Sequence, residues 1–217
     1  MKERLIMFLS ILTLLSCASR SDPRLNIDEG LETPIYSVST VEGNCEVREY
    51  QEHIVASVTV GGDLQEASSE GFRTLAGYIF GRNSEQSSIA MTSPVSVSSP
   101  PKSVRIDMTT PVTAKQIEDQ GWEVTFSMPS QYTLKTLPKP SNPRIKILKQ
   151  PGDRVAVIVF SGRATQSNID HQELTLRAWI EAQGLQIDGP LVLSRYNAPF
   201  TLPWNRRNEI SFKIKHL

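Results

Sequence analysis

Residues 54–62, Ile-Val-Ala-Ser-Val-Thr-Val-Gly-Gly, return as residues 154–162, Arg-Val-Ala-Val-Ile-Val-Phe-Ser-Gly. In the first copy Ile54, Ala56, Val58 and Val60 share one side of a two-residue period, the mark of a strand with one face in a core. Each copy follows an earlier strand, at 47–50 or 145–149, and precedes a helix. Strand–strand–helix therefore occurs twice, with further strands after each helix. Such a duplication predicts a pseudo-two-fold domain in which two units share one sheet. Nine strand candidates and two helices make the class α+β. The expected architecture is a twisted, mostly antiparallel sheet curled into a distorted barrel, with both helices outside.

Local signals set the elements around the repeat. Residues 45–50, Cys-Glu-Val-Arg-Glu-Tyr, alternate, and the short gap holding His53 predicts a hairpin with 54–60. Gly61-Gly62 breaks that run. Asp63 then stands as N-cap with Glu66 three residues on, a capping box. Leu64, Ala67, Gly71, Leu75 and Tyr78 follow at helical spacing, flanked by Phe72 and Ile79, and Gly81 ends the helix. The second helix is expected over 169–183, with a capping box at Ser167 to Asp170 and a stop at Gly184. Trp122, Val124, Phe126 and Met128 alternate with Glu123, Thr125 and Ser127, a strand with one wet face. Ile210, Phe212 and Ile214 form the last strand.

One phrase occurs twice: Ile89-Ala90-Met91-Thr92-Ser93-Pro94-Val95 and Ile106-Asp107-Met108-Thr109-Thr110-Pro111-Val112. Pro removes a ladder donor and biases its predecessor towards extended backbone, so both copies read as strands ending at a bulge or edge. Two hairpin arms that drifted towards similar sequence are the alternative. Ile-x-Met-Thr-x-Pro-Val resembles the signature of the SOUL/haem-binding protein family. Cys45–Tyr50, residues 72–83 and the Phe126-x-Met128-Pro129 to Pro140 segment resemble further family motifs in order. The closing run from Tyr196 through Pro199 to Arg206-Arg207-Asn208-Glu209-Ile210 resembles the family's last motif. The resemblance covers residues 33–217.

It implies a non-covalently bound haem or other tetrapyrrole in an apolar groove beside the first helix. Phe72, Leu75, Ala76 and Ile79 would line one wall, and Tyr196, Phe200 and Trp204 another. Arg73 and Arg206 would stand at the rim for the propionates. Arg206-Arg207-Asn208-Glu209 also reads as a structural ion-pair turn. Some relatives carry a His before the Tyr of the first strand; here that position is Glu49, which removes an axial ligand. His53, His171 and His216 have no metal-motif spacing, and Met91, Met108 and Met128 sit on apolar strand faces, so no metal ligands are assigned. Cys45 reads as a small buried group. No nucleophile elbow or phosphate loop appears, and no catalytic residue is assigned. The same superfold resembles gyrase-inhibitor-like proteins, some of them small-molecule hydrolases. Glu209 with Trp204 and Tyr196 is the constellation that reading would use. A non-catalytic envelope module for another hydrophobic ligand is the remaining alternative.

Residues 1–16 read as a signal peptide, with Lys2 and Arg4 before an apolar run too short to span a bilayer permanently. Leu14-Leu15-Ser16-Cys17 resembles a lipobox, so Cys17 is the expected lipidation site; an ordinary secretory signal ending near a Cys is the alternative. Residues 17–32 form the lipidated Cys and a polar tether, and 33–217 the domain. Several acyl chains, each buried CH₂ adding about 0.8 kcal/mol, would hold the protein at a membrane by the anchor alone. Ala18 after the Cys resembles an outer-membrane address, placing the domain in the bacterial envelope facing the periplasm. The chain's two cysteines then leave no intramolecular disulfide. The 23 basic and 23 acidic residues lose Lys2, Arg4 and Glu3 with the signal, leaving 21 against 22. That balance offers nucleic acid no basic footprint, and a monomeric domain is expected. Cys17→Ser is expected to abolish labelling by a fatty-acid probe and to release the protein from membranes; persistent labelling would contradict the anchor.

Overall fold

The computed structural model describes residues 31–85, 88–89, 91–98, 121–198 and 200–215. Cys17 and most of its tether, the second phrase copy at 106–112, Pro199 and His216 lie outside the described residues. The elements are β1 (Tyr36–Glu42), β2 (Cys45–Tyr50), β3 (His53–Val60), α1 (Leu64–Ile79), β4 (Val95–Ser98), β5 (Trp122–Ser127), β6 (Lys146–Gln150), β7 (Arg154–Phe160), α2 (Gln166–Ala182), β8 (Ile187–Arg195) and β9 (Asn208–Ile214). The strands form one sheet in the order β1-β2-β7-β9-β8-β4-β5-β3-β6, antiparallel at every step. The sheet curls without closing, and the class is α+β as expected.

The strand order carries the duplication. Exchanging β2 with β6, β3 with β7, β4 with β8 and β5 with β9 returns the same order from β2 to β6, with β1 as an addition. The pseudo-axis passes between the central strands β4 and β8, where Val95 lies opposite Arg195. α1 packs on β3, β4 and β5, and α2 on the equivalents β7 and β9. Each helix covers its own apolar cluster, one holding Ala56, Leu75, Val124 and Phe126, the other Ala156, Leu176, Ile210 and Phe212. Leu64 touches both clusters near the axis.

The expected hairpin of 45–50 with 54–60 does not form. β2 pairs with β1 and β7, whereas β3 pairs with β5 and β6. A two-residue hairpin needs turn residues such as Asn-Gly, and Gln51-Glu52 supplies none. Instead each unit's leading strand crosses to the other unit's side of the sheet. The two connectors touch where they cross: the Tyr50 N–H donates to the Asp153 carbonyl at 3.0 Å. A Cβ on Gly152 would come within 2.6 Å of the Tyr50 carbonyl oxygen, so only glycine passes there.

Two further expectations shift. Asp63 caps α1 through a complete capping box with Glu66, as read. α2, however, starts earlier than 169: Thr165 caps it by accepting from the Asn168 N–H, and the box at Ser167 to Asp170 is not formed because both residues lie inside the helix. The phrase at 89–95 enters a strand rather than ending one. Thr92 bonds the Ser127 carbonyl, Ser93 donates to the Tyr196 carbonyl at 3.1 Å, and β4 begins after the cis Ser93–Pro94 bond.

α1 approaches β5 closely enough that a Cβ on Gly71 would overlap the side chain of Val124, which is fully buried and cannot withdraw. Alanine would gain about 1 kcal/mol of helix propensity but overpack the contact. Gly71→Ala is therefore expected to lower unfolding free energy by about 1–2 kcal/mol net. Gly61→Ala, where a Cβ meets nothing within 4 Å, should leave the denaturant midpoint nearly unmoved.

Candidate functional site

A groove of about 540 Å³ opens between α1, the start of α2, the central strands and the loop from β8 to β9. It sits over the pseudo-axis: Gln65 in the first turn of α1 and Thr165, the N-cap of α2, both line it, as do the paired residues Val95 and Arg195. The two units furnish it unequally. The first supplies Phe72, Val95 and Val97 as apolar floor, with the Phe72 ring tilted against Phe126 at a centroid distance of 5.4 Å. The second supplies Arg163, Arg195, Arg206 and Arg207, the last paired to Glu209, joined by Arg73 of α1. No carboxylate stands among the described lining residues.

Chain parity explains the arginines. On β8, Leu193 faces the α2 core, so Arg195 two residues on faces the same way, where the strand runs out from under the helix. The Arg195 Nε is buried with no hydrogen-bond partner among the described residues. Burial and the neighbouring Arg206 charge hold its pKa below the ordinary arginine value. The Arg206 Nε donates to the Thr201 carbonyl at 2.7 Å, and the Arg73 Nε to the Ser69 carbonyl at 3.2 Å.

The opposite face of the sheet carries a buried ion cluster. Glu209 alternates with the core residues of β9 and so points away from α2. Its Oε1 accepts from Arg207 Nη2 at 2.6 Å and Nε at 3.0 Å, and from Arg48 Nη2 at 3.1 Å. Its Oε2 accepts from Tyr196 Oη at 2.7 Å and Arg48 Nη1 at 2.9 Å. Arg48 Nε also donates to Glu46 at 2.6 Å, and Arg48 lies 4.5 Å over the Tyr36 ring. Burial alone would raise the Glu209 pKa; the guanidinium groups of Arg48 and Arg207 overcome it and hold the carboxyl below its ordinary value of 4.5. Burial, then the Glu209 charge, pushes Tyr196 well above its usual range and Tyr50 up to about 12, so both phenols remain protonated.

Of the nine groove residues expected from sequence, Phe72, Arg73 and Arg206 meet at the groove. Leu75 and Ile79, at 0% and 1% exposure, are core residues under α1. The stripe that a wall seemed to need is the stripe that covers the sheet, and the groove takes the neighbouring helix face, Ser68, Ser69, Phe72 and Arg73. Ala76 is half-buried and does not line the groove. Tyr196 belongs to the Glu209 cluster. Phe200 and Trp204, 89% and 63% exposed, stand on the loop outside the lining. Arg195 and Arg163 were missed, although an Arg continuing the Leu191, Leu193 alternation was a visible signal.

A larger cleft, about 690 Å³, lies at the far end of β3, lined by His53, Met128, Tyr132 and both signs of charge. There Lys149 is paired to Glu52 at 2.6 Å, and His53 Nδ1 lies 3.0 Å from the Gln51 carbonyl. It holds none of the nine residues. Among the described residues no cluster of three or more His, Cys, Asp or Glu is placed to hold a metal, and no helix is long and apolar enough to cross a membrane.

The SOUL heme-binding protein family matches residues 31–213, and the chain belongs to that family. No curated protein sequence matches it. Among solved structures, the EcmrR C-terminal domain is similar at 13% identity and a TM-score of 0.56, over 84% of this chain and 99% of that one. A hydrolase from Listeria innocua is similar at 12% identity and a TM-score of 0.54, over 81% and 94%. EcmrR in a DNA complex matches at 12% identity and a TM-score of 0.54, over 84% of this chain and 58% of the longer one. At these identities the likeness concerns the fold.

Glu209→Gln would leave two buried guanidinium groups short of a counter-charge, an expected cost of about 3–5 kcal/mol. Because the folded carboxyl titrates below 4.5, its contribution is complete above that pH and is lost as pH falls through the folded value. Chemical denaturation followed from pH 7 to pH 3 should therefore show a steep acid loss in the wild type that is shallower in Glu209→Gln.

Proposed function

We propose that this domain binds a haem-like tetrapyrrole in the axial groove, by apolar contact and carboxylate pairing, as a carrier rather than a catalyst. The observation that carries the reading is the groove's composition: an apolar floor at Phe72, Val95 and Val97 bordered by five arginines, of which Arg207 is already paired to Glu209, with no carboxylate among the described lining residues. Family membership supplies the ligand class. Its volume falls within the range of small-molecule sites. The residues fit such a group: the buried, unpartnered Arg195 Nε is a donor that lacks an acceptor, and ring propionates would provide one. Among the described residues the groove presents no His, Cys, Tyr or Met, so affinity would come from the ring faces and propionates. Burying apolar area at about 25 cal/mol per Å², less association costs, gives affinities near micromolar.

The hydrolase alternative has less to work with. Both oxygens of Glu209 are engaged by Arg48, Arg207 and Tyr196, and Trp204 stands apart on the loop. A carboxylate so engaged is a poor general base. Placement of the domain at the bacterial envelope through Cys17 is part of this proposal and rests on the lipobox-like run alone.

Absorbance titration tests the reading. Hemin and metal-free protoporphyrin are expected to bind within about threefold of each other, since no protein–iron bond contributes. Phe72→Ala should weaken both by about tenfold, and His53→Ala should change neither. Loss of hemin binding on His53→Ala would place the ligand in the other cleft.

A further inference from the structure

Two neighbouring guanidinium groups line the groove, Arg195 at the end of β8 and Arg206 on the following loop. Such an arrangement is unfavourable for folding. Each charge opposes the other, the Arg195 Nε is shielded from water without an acceptor, and a buried unsatisfied donor near a like charge costs stability. The contrast with the other face is direct: there Arg48 and Arg207 are neutralised by Glu46 and Glu209. The same chain pairs Arg48 and Arg207 fully and leaves the Nε of Arg195, like that of Arg154, without an acceptor among the described residues.

Position sharpens the point. Val95, directly across the ladder from Arg195, is apolar and half-buried, so the first unit keeps the apolar character of the shared floor. At the helix starts the repeat aligns Asp63, which caps α1, with Arg163, which faces the groove. Both differences add positive charge on the second unit's side of the axis.

We infer that Arg195 and Arg206 form an oxyanion subsite in the groove, and that Arg195 is the residue that restricts the ligand to apolar molecules bearing a carboxylate or phosphate. The inference rests on the proposed groove reading and adds to it that Arg195 selects the ligand, by discriminating against uncharged molecules of the same shape. Arg195 supplies a charged donor that only an incoming anion satisfies, so neutral or cationic molecules of the same shape leave it unpaired and are rejected. Its cost to the empty protein is repaid on binding.

The experiment uses the intact domain, with Arg195→Met and Arg195→Lys beside the wild type. Three readings are made: the melting temperature without ligand, the melting shift with pyrophosphate against chloride of equal ionic strength, and titration with protoporphyrin and its uncharged dimethyl ester. Arg195→Met is expected to melt above the wild type, to lose the pyrophosphate shift, and to bind protoporphyrin at least about tenfold more weakly while the ester binds unchanged. Arg195→Lys should keep part of the pyrophosphate shift. Equal pyrophosphate shifts in wild type and Arg195→Met, or a wild type that does not respond, overturn the subsite. A wild type that responds to pyrophosphate through Arg195 but binds neither porphyrin upholds the subsite and removes the tetrapyrrole reading. Porphyrin binding that is indifferent to Arg195 does the reverse.

Discussion

The Glu209 carboxylate ties β2, β9 and both ends of the loop between β8 and β9 to a single point. Arg48 reaches it from β2, across the intervening strand β7, while Arg207 and Tyr196 reach it from the two ends of the loop between β8 and β9. That loop carries Arg206 on its other side, and Arg195 ends the strand that feeds it. The carboxylate therefore fixes, from the back of the sheet, the frame on which the groove arginines stand. Full satisfaction is what makes so polar a cluster tolerable in a buried position. The aromatic rings of Tyr36 and Tyr196, each under a guanidinium at 4.5 Å and 4.2 Å, close it.

The groove owes its character to a symmetry that the backbone keeps and the side chains break. Two like units meeting on an axis make a concavity lined twice over by equivalent positions. If both units furnished it alike, it would be wholly apolar or wholly charged. Here one contributes Phe72, Val95 and Val97 with a single arginine, Arg73, and the other Arg163, Arg195, Arg206 and Arg207, so a single concavity is mainly greasy on one side and cationic on the other. A flat amphipathic molecule meets complementary chemistry on both sides.

Much of the fold could be read from residue order because its signals are local. Alternation over 54–60 and 122–127, the Asp63–Glu66 box and Gly81 each act within a few residues, and each element formed where expected. What sequence did not disclose was partner choice. The strand at 45–50 alternates whether or not it pairs with its neighbour, and the crossing depends on a close backbone approach at Gly152 that no periodicity encodes. β1, with mostly exposed residues, gave no apolar pattern to find. The site was legible in the same proportion. Phe72, Arg73 and Arg206 were within reach of motif reading, whereas Leu75 and Ile79 show that an apolar helical stripe belongs first to the core. Arg195 continues the Leu191, Leu193 alternation, a signal that the sequence carries, but a charged residue at a strand's end ordinarily reads as solvated.

The crossing of the leading strands also governs how the chain can assemble. β2 pairs with β7, more than a hundred residues later, and β3 with β6 nearly as far away. Neither unit can complete its own part of the sheet from its own residues, so no half is a self-sufficient folding unit. Loop-closure entropy must be met before the long-range ladders return anything, which is the signature of high contact order and slow folding. During synthesis, β2 waits with one edge unpaired until most of the polypeptide has emerged. The charged Glu46, Arg48 and Glu49 in that strand are well suited to the wait, since they discourage pairing with foreign strand edges.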